Sequence, residues 1–185
     1  MPPPSRPPLR AGPVSAGRLA RAGVIAAAYV AAAAALGPLS FGVPLGPVLV
    51  QFRAAEALSV LPILYPEAIP GLFVGVWLAN VLGGLGPWDV WGGSLVSLLA
   101  ACATWLDRRS WRAYVWPVAA NGVLISLYLS AIFGLPYWST ALGITLSEAL
   151  VVGALGVPLV RVLRRFSPRP SRPEEAPRSP GATGA

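Results

Sequence analysis

Apolar residues run through this chain in long blocks, and Pro and Gly cut them into six, roughly 19–39, 48–65, 68–84, 88–106, 113–133 and 138–163. A bilayer-crossing helix needs about 20 apolar residues at a rise of about 1.5 Å each, so the blocks predict membrane-spanning helices. The second block is among the shortest and is the most polar. Residues 1–17 and 167–185 are rich in Pro, Ser, Gly and Arg and lack the apolar surface needed to offset ordering, which predicts disordered tails on either side of a membrane domain at 18–166. The first block has arginines ahead of it and alanines inside it, as a signal peptide does. It is long and no polar domain follows, so a retained helix is expected. The pattern predicts an all-α, polytopic, six-transmembrane-helix bundle in the cell membrane.

Composition agrees, because 55% of residues are hydrophobic and 11% are charged, against about 25% charged in soluble domains. The net charge of +7 does not point to nucleic acid, since the arginines gather in two tails and one loop instead of interleaving with aromatics on an exposed face. With both termini cytoplasmic, Arg6, Arg10, Arg18 and Arg21, the loop Arg108, Arg109 and Arg112, and the cluster from Arg161 to Arg178 all fall inside. Every arginine but Arg53 then obeys the positive-inside rule, and an odd number of spans would break the agreement. Trp88, Trp91, Tyr137 and Trp138 would mark the outer interface, and Trp105, Trp111 and Trp116 the inner one. Lys and His are absent, which removes a P-loop lysine, a Schiff-base lysine, a histidine base and any His-ligated metal. Any ATP that drives the protein must be hydrolysed by another subunit, and no cofactor or metal is expected. The lone Cys102 reads as a small buried hydrophobe.

Small residues at every fourth position let helices approach closely in lipid. Gly71, Gly75, Ala79 and Gly83 form one such stripe, Gly93, Ser97 and Ala101 a second, and Gly122, Ser126, Ser130 and Gly134 a third. These read as internal packing faces. The first block differs, since its alanine run gives a smooth face of Gly23, Ala27, Ala31 and Ala35 that gains little from lipid and suits another protein helix. That helix lies within the chain or on another subunit.

Arg53, Glu56, Asn80, Asp89, Asn121 and Glu148 stand inside the apolar blocks. Charges at membrane depth are costly and face a partner or a cavity. Helical rise places Arg53, Glu56, Asn80 and Asp89 toward the outer side, with Asn121 and Glu148 about 15–18 Å below their outer helix ends. The set would line a cup open to the outside, for a polar organic solute that both donates and accepts hydrogen bonds. A flat ring could stack on Trp77 or Trp88. The alternatives are an internal Arg53–Glu56 pair at i, i+3, helix-fixing roles for the amides and Glu148, and a helix cap for Asp89 beside Pro87.

The run Gln51-Phe-Arg-Ala-Ala-Glu-Ala-Leu-Ser-Val-Leu-Pro62, then Ala68-Ile-Pro-Gly-Leu-Phe-Val-Gly75 and Leu78-Ala-Asn-Val-Leu-Gly-Gly84, resembles the queuosine-precursor transporter family of QueT type. Asp89 with Gly92-Gly-Ser-Leu95, and Pro117-Val-Ala-Ala-Asn-Gly122, continue the likeness within about residues 20–165. The resemblance implies a six-helix substrate-binding S component of an energy-coupling factor transporter. It further implies partnership with a coupling transmembrane subunit and two cytoplasmic ATPases, docking through the small face of the first helix, and toppling in the membrane to release cargo. The implied cargo is a 7-deazaguanine, such as the aminomethyl or cyano queuosine precursor or queuine. Glu56 or Glu148 would accept from its N–H edge, Arg53 or an Asn amide would donate to its carbonyl, and a second carboxylate could neutralise an aminomethyl group. The rival expectation is a stand-alone proton- or ion-coupled carrier with Glu56 and Glu148 as titrating groups, although no inverted repeat is apparent. A membrane enzyme or a ligand-free anchor ranks below both.

Overall fold

The structure is a computed structural model, and it describes residues 15–37, 40, 43–45, 48–50 and 52–166. The expected tails lie outside the described residues, except that Ala16 and Gly17 already belong to the first helix. Six helical segments follow one another. They are α1 Ala16–Ala35, α2 Ala54–Ile63, α3 Ala68–Leu82, α4 Trp88–Leu106, α5 Trp111–Phe133 and α6 Tyr137–Phe166. Helices α1, α4, α5 and α6 are long and apolar enough to cross a membrane, while α2 and α3 are shorter apolar helices.

The second segment departs from expectation. The stretch 48–65 is not one helix: Val48–Val50 is a strand, β2, paired antiparallel with β1 at Val43–Leu45, in the register Val43 to Val50. Only Ala54–Ile63 is helical, and it is a 3-10 helix. Short apolar runs do not distinguish strand from helix by periodicity, and here Gly46-Pro47 punctuates β-branched residues in a hairpin-like pattern. A 3-10 run of ten residues is long for a geometry with poorer hydrogen bonds, and such stretches often mark hinges.

Parts of the small-residue stripes pack helices together, whereas Gly83 is exposed and Gly134, at a φ of 65°, ends its helix with open space beside it. A Cβ on Gly71 would meet the Ala22 carbonyl oxygen at 2.7 Å, and one on Gly75 would meet Tyr29 Cβ at 2.9 Å and Ala26 Cα at 3.1 Å. Helix α3 is therefore seated on α1 almost backbone to backbone. Gly122 is closed off by Thr145 of α6, and a Cβ on Gly156 would meet Val60 Cγ2 of α2 at 3.1 Å. Tyr29, Leu72, Val76 and Ala101 anchor the main core, and Cys102 is half-buried. Outside it, large apolar side chains such as Leu82, Leu99, Leu142 and Leu146 are exposed, a continuous apolar exterior that water would not tolerate and lipid does.

Three helices carry π turns, at Trp88–Gly93, Asn121–Ile125 and Val152–Gly156. One extra residue per turn rotates the following face, and such turns are frequent at functional sites. Two of them contain Asp89 and Asn121. On the side expected to be inner, Arg108 stacks on Trp105 at 3.9 Å and Trp116 Nε1 donates to Asp107 at 2.7 Å, so aromatic and charged groups share one belt.

Candidate functional site

The six polar residues read from the sequence converge from five helices. Arg53 caps the start of α2, Glu56 lies in its first turn, and both side chains are largely buried. Arg53 Nη1 stands 3.9 Å from Glu56 Oε1, Arg53 Nη2 donates to Asn80 Oδ1 at 3.1 Å, and Arg53 Nε donates to the Ser40 carbonyl at 3.0 Å. Asn80, near the end of α3, donates to the backbone carbonyl of Asp89 at 2.7 Å. Asp89 is not a helix cap: Pro87 holds that position, and the Asp89 carboxylate accepts from Tyr128 Oη at 2.8 Å. Deeper in, Asn121 Nδ2 donates to Glu148 Oε1 at 2.9 Å and the same amide lies against Glu56. The i, i+3 pair therefore exists, but both members are also nodes of a larger network.

Tyr29 and Tyr128 are network members that were not anticipated from the sequence. Tyr29 is fully buried on α1, and its hydroxyl donates to Glu56 Oε1 at 2.5 Å. Tyrosine reads as apolar in a hydropathy pattern, yet Tyr29 is the only side-chain donor in the alanine run of α1, and a buried phenol needs a partner. Ser40 was also missed; its hydroxyl donates to the Ala33 carbonyl at 2.8 Å. Trp77 stands one turn before Asn80, but its ring meets Trp91 edge-on at 5.9 Å, and its buried Nε1 has no partner among the described residues. Trp88 is exposed.

Among the described residues the network leaves little space. Two gaps beside it, one bounded by Tyr29, Glu56, Ser97 and Asn121 and the other by Arg53, Asn121, Ser147 and Glu148, hold about 10 Å³ each. Each is about the size of one water, against the roughly 300 Å³ or more of an ordinary ligand pocket. A planar base enters only if the polar contacts part. Larger hollows lie outside this network: an apolar groove of about 530 Å³ between α1 and α3 near Arg18 and Glu67, and another of about 320 Å³ between α4 and α5 near Leu99 and Trp116.

Charge is unbalanced inside the cluster. Arg53 is the only basic residue between Arg21 and Arg108 in the sequence; it pairs with Glu56 and shares a gap with Glu148, while Asp89 joins the network through Asn80 and Tyr128. Glu56 has the guanidinium and a phenol, and Asp89 has a phenol. Glu148 has an amide. Among the described residues no three His, Cys, Asp or Glu side chains converge as a metal would require.

The α1 face Gly23, Ala27, Ala31 and Ala35 is exposed at all four positions. The opposite face, Ile25, Ala26, Tyr29 and Ala33, is the one buried against the bundle.

No curated protein and no solved structure matches the chain. The family model of the QueT transporter matches residues 19–165, which takes in nearly the whole of all six helices and both polar and small-residue patterns. The chain belongs to the QueT transporter family.

Proposed function

We propose that this protein is the substrate-binding S component of an energy-coupling factor importer, which captures a 7-deazaguanine queuosine precursor at the outer face of the cell membrane. Its N- and C-termini are cytoplasmic, as the arginine distribution favours. A coupling transmembrane subunit docks on the Gly23, Ala27, Ala31 and Ala35 face of α1, and two cytoplasmic ATPases supply the energy for the chain to topple and release cargo. The exposure of that small-residue face supports the docking role.

The observation that carries the solute reading is the convergence of Arg53, Glu56, Asn80, Asn121 and Glu148 in one buried network of a transporter-family chain. Donors and acceptors alternate there as the guanine-like edge requires, and wrong bases would leave buried groups unpaired. Glu56, already held by Arg53 and Tyr29, is the rigid acceptor for the N–H edge, while Arg53 or Asn80 donates to the carbonyl. Glu148, hydrogen-bonded to an amide and not ion-paired with Arg53 across their shared gap, is the carboxylate available to an ammonium, so the aminomethyl precursor is the preferred cargo.

Calorimetry of the detergent-solubilised chain against aminomethyl- and cyano-deazaguanine, queuine, guanine and common vitamins tests this. Binding confined to the deazaguanines is the expected result, and no binding to any of them refutes it. The two carboxylates flanking Asn121 also suit a stand-alone proton-coupled carrier. Uptake into liposomes by the purified chain without ATPase subunits would select that reading instead.

A further inference from the structure

We propose that the groove between α4 and α5 binds an anionic phospholipid, with an acyl chain lying in the groove and the phosphate held by Arg109 and Arg112. The inference is independent of the solute reading and concerns a surface which that reading leaves unused.

The groove holds about 320 Å³, and its walls are apolar, with Leu99 and Ala103 among those of α4 and Trp116, Ala120 and Val123 among those of α5. Facing alanines are too short to fill the space between two helices. The spacing is fixed at the end nearest the 107–112 loop, where Trp116 Nε1 donates to Asp107 Oδ2 at 2.7 Å and Thr104 Oγ1 donates to the Ala113 carbonyl at 3.2 Å. The slot is thus preformed, which spares an entering chain the cost of ordering its walls. Leu99, Trp116 and Val123 are exposed, so the slot opens on the apolar exterior where lipid is the neighbour. From Trp116 to Leu124 it spans about 12 Å at 1.5 Å per residue, close to the roughly 15 Å of hydrocarbon in one leaflet. A chain lying along it stays within that leaflet.

The loop at the mouth of the groove selects the headgroup. It carries three arginines and one aspartate. Asp107 is engaged by Trp116, and Arg108 stacks on Trp105 while its Nη1 donates to the Trp105 carbonyl. Arg109 and Arg112 are exposed, and among the described residues neither forms an ion pair. Two guanidiniums without a counter-charge complement the phosphate of an anionic lipid, which the planar fork can bind bidentately. A zwitterionic headgroup brings its own cation toward them and gains less. Basic pockets between transmembrane helices on the cytoplasmic side are a known setting for anionic headgroups, and the arginine distribution favours that side for this loop. The larger groove between α1 and α3 lacks this feature, because Arg18 and Arg21 beside it both reach Glu67, at 3.8 and 3.2 Å.

The test is native mass spectrometry of the delipidated full chain in detergent, titrated with phosphatidylglycerol or phosphatidylcholine of identical acyl chains, to give the dissociation constant of the first lipid bound. Wild type is expected to prefer phosphatidylglycerol by about 10- to 30-fold, the combined effect of two arginines at a lipid surface. Arg109→Gln with Arg112→Gln should remove that preference by weakening phosphatidylglycerol alone, with the melting temperature unchanged. Ala103→Leu with Ala120→Leu fills the groove and should weaken both lipids by about ten-fold or more, as chain methylenes lose their burial. Glycerol phosphate, the headgroup without chains, should not compete. Equal binding of the two lipids by wild type overturns the inference, as does unchanged binding in the groove-filled chain, which would leave surface charge alone. Competition by glycerol phosphate would make this a site for free phosphate and overturns it too. A preference that survives the arginine changes also overturns it, and failure of that variant to assemble with the coupling subunit and ATPases would then make the loop a protein contact.

Discussion

Replacing Glu148 by Gln exchanges a buried carboxylate for an amide of nearly the same shape. The acceptor oxygen that Asn121 uses at 2.9 Å is retained, so the network keeps its geometry. The charge that disappears has no cation within ion-pair distance among the described residues, where the only pairs are Arg18 and Arg21 with Glu67, and Arg53 with Glu56. A buried carboxylate without a cation carries a desolvation cost that a neutral amide avoids, and the exchange breaks no ion pair. The unliganded Glu148→Gln chain should therefore unfold at the same temperature as wild type or higher.

Binding should move the other way. A hydrogen bond between charged groups contributes about 1.5–3 kcal/mol, and every 1.4 kcal/mol or so is tenfold in affinity. The aminomethyl deazaguanine should lose about 10- to 150-fold on this estimate. The cyano analogue, which brings no ammonium, should change by less than about three-fold, below the loss of one ordinary hydrogen bond. Thermal unfolding without solute and calorimetry with both solutes measure the two effects separately. Equal weakening of the two solutes would refute the ammonium role. Loss of more than about 1 kcal/mol of stability without solute, the size of one net hydrogen bond, would make Glu148 a structural anchor.

Arg53→Ala and Glu56→Gln should each abolish tight deazaguanine binding while the chain still inserts into the membrane; retained binding in both, by calorimetry, would remove the pair from the site. Ala31→Leu places bulk on the bare face of α1 and should stop co-purification with the coupling subunit, with solute affinity unaltered in the isolated chain. Gly75→Val meets Tyr29 Cβ and Ala26 backbone at about 3 Å, which no side-chain motion relieves. Overpacking of this kind costs about 1–3 kcal/mol, and a melting temperature equal to wild type would show that α1 and α3 separate easily.

Block length and punctuation made five of the six helices legible, and fourth-position small residues marked the α1–α3 and α5–α6 contacts. The hairpin and the 3-10 helix were hidden because short apolar runs such as those at 48–50 and 57–63 suit strand and helix alike. Polar residues within apolar helices were enough to nominate the network, since burial in lipid leaves such groups nowhere else to go. Their pairing was not readable. Asn80 meets Arg53 across 27 positions and Asn121 meets Glu148 across another 27, and π turns at Asp89 and Asn121 rotate those side chains off a 3.6-residue count. Interior Gly92-Gly93 and Asn121-Gly122 were the available signal. Tyr29 and Tyr128 escaped because a phenol's ring counts as apolar while its single hydroxyl decides its role.

A network that is already satisfied discriminates more than it attracts. Arg53 has Ser40 and Asn80, Glu56 has Tyr29, and Asn121 has Glu148, so an entering solute gains only the difference between the bonds it makes and those it displaces. A solute whose edge matches restores every partner and adds the burial of its own rings. One that misses a single donor leaves a buried group unpaired, at about 1–3 kcal/mol, where the gaps among the described residues hold about one water each. On the proposed reading, a solute reaching Arg53 and Glu56 parts the start of the 3-10 helix from Tyr29 of α1 and Asn80 of α3, their side-chain partners on the two interlocked helices.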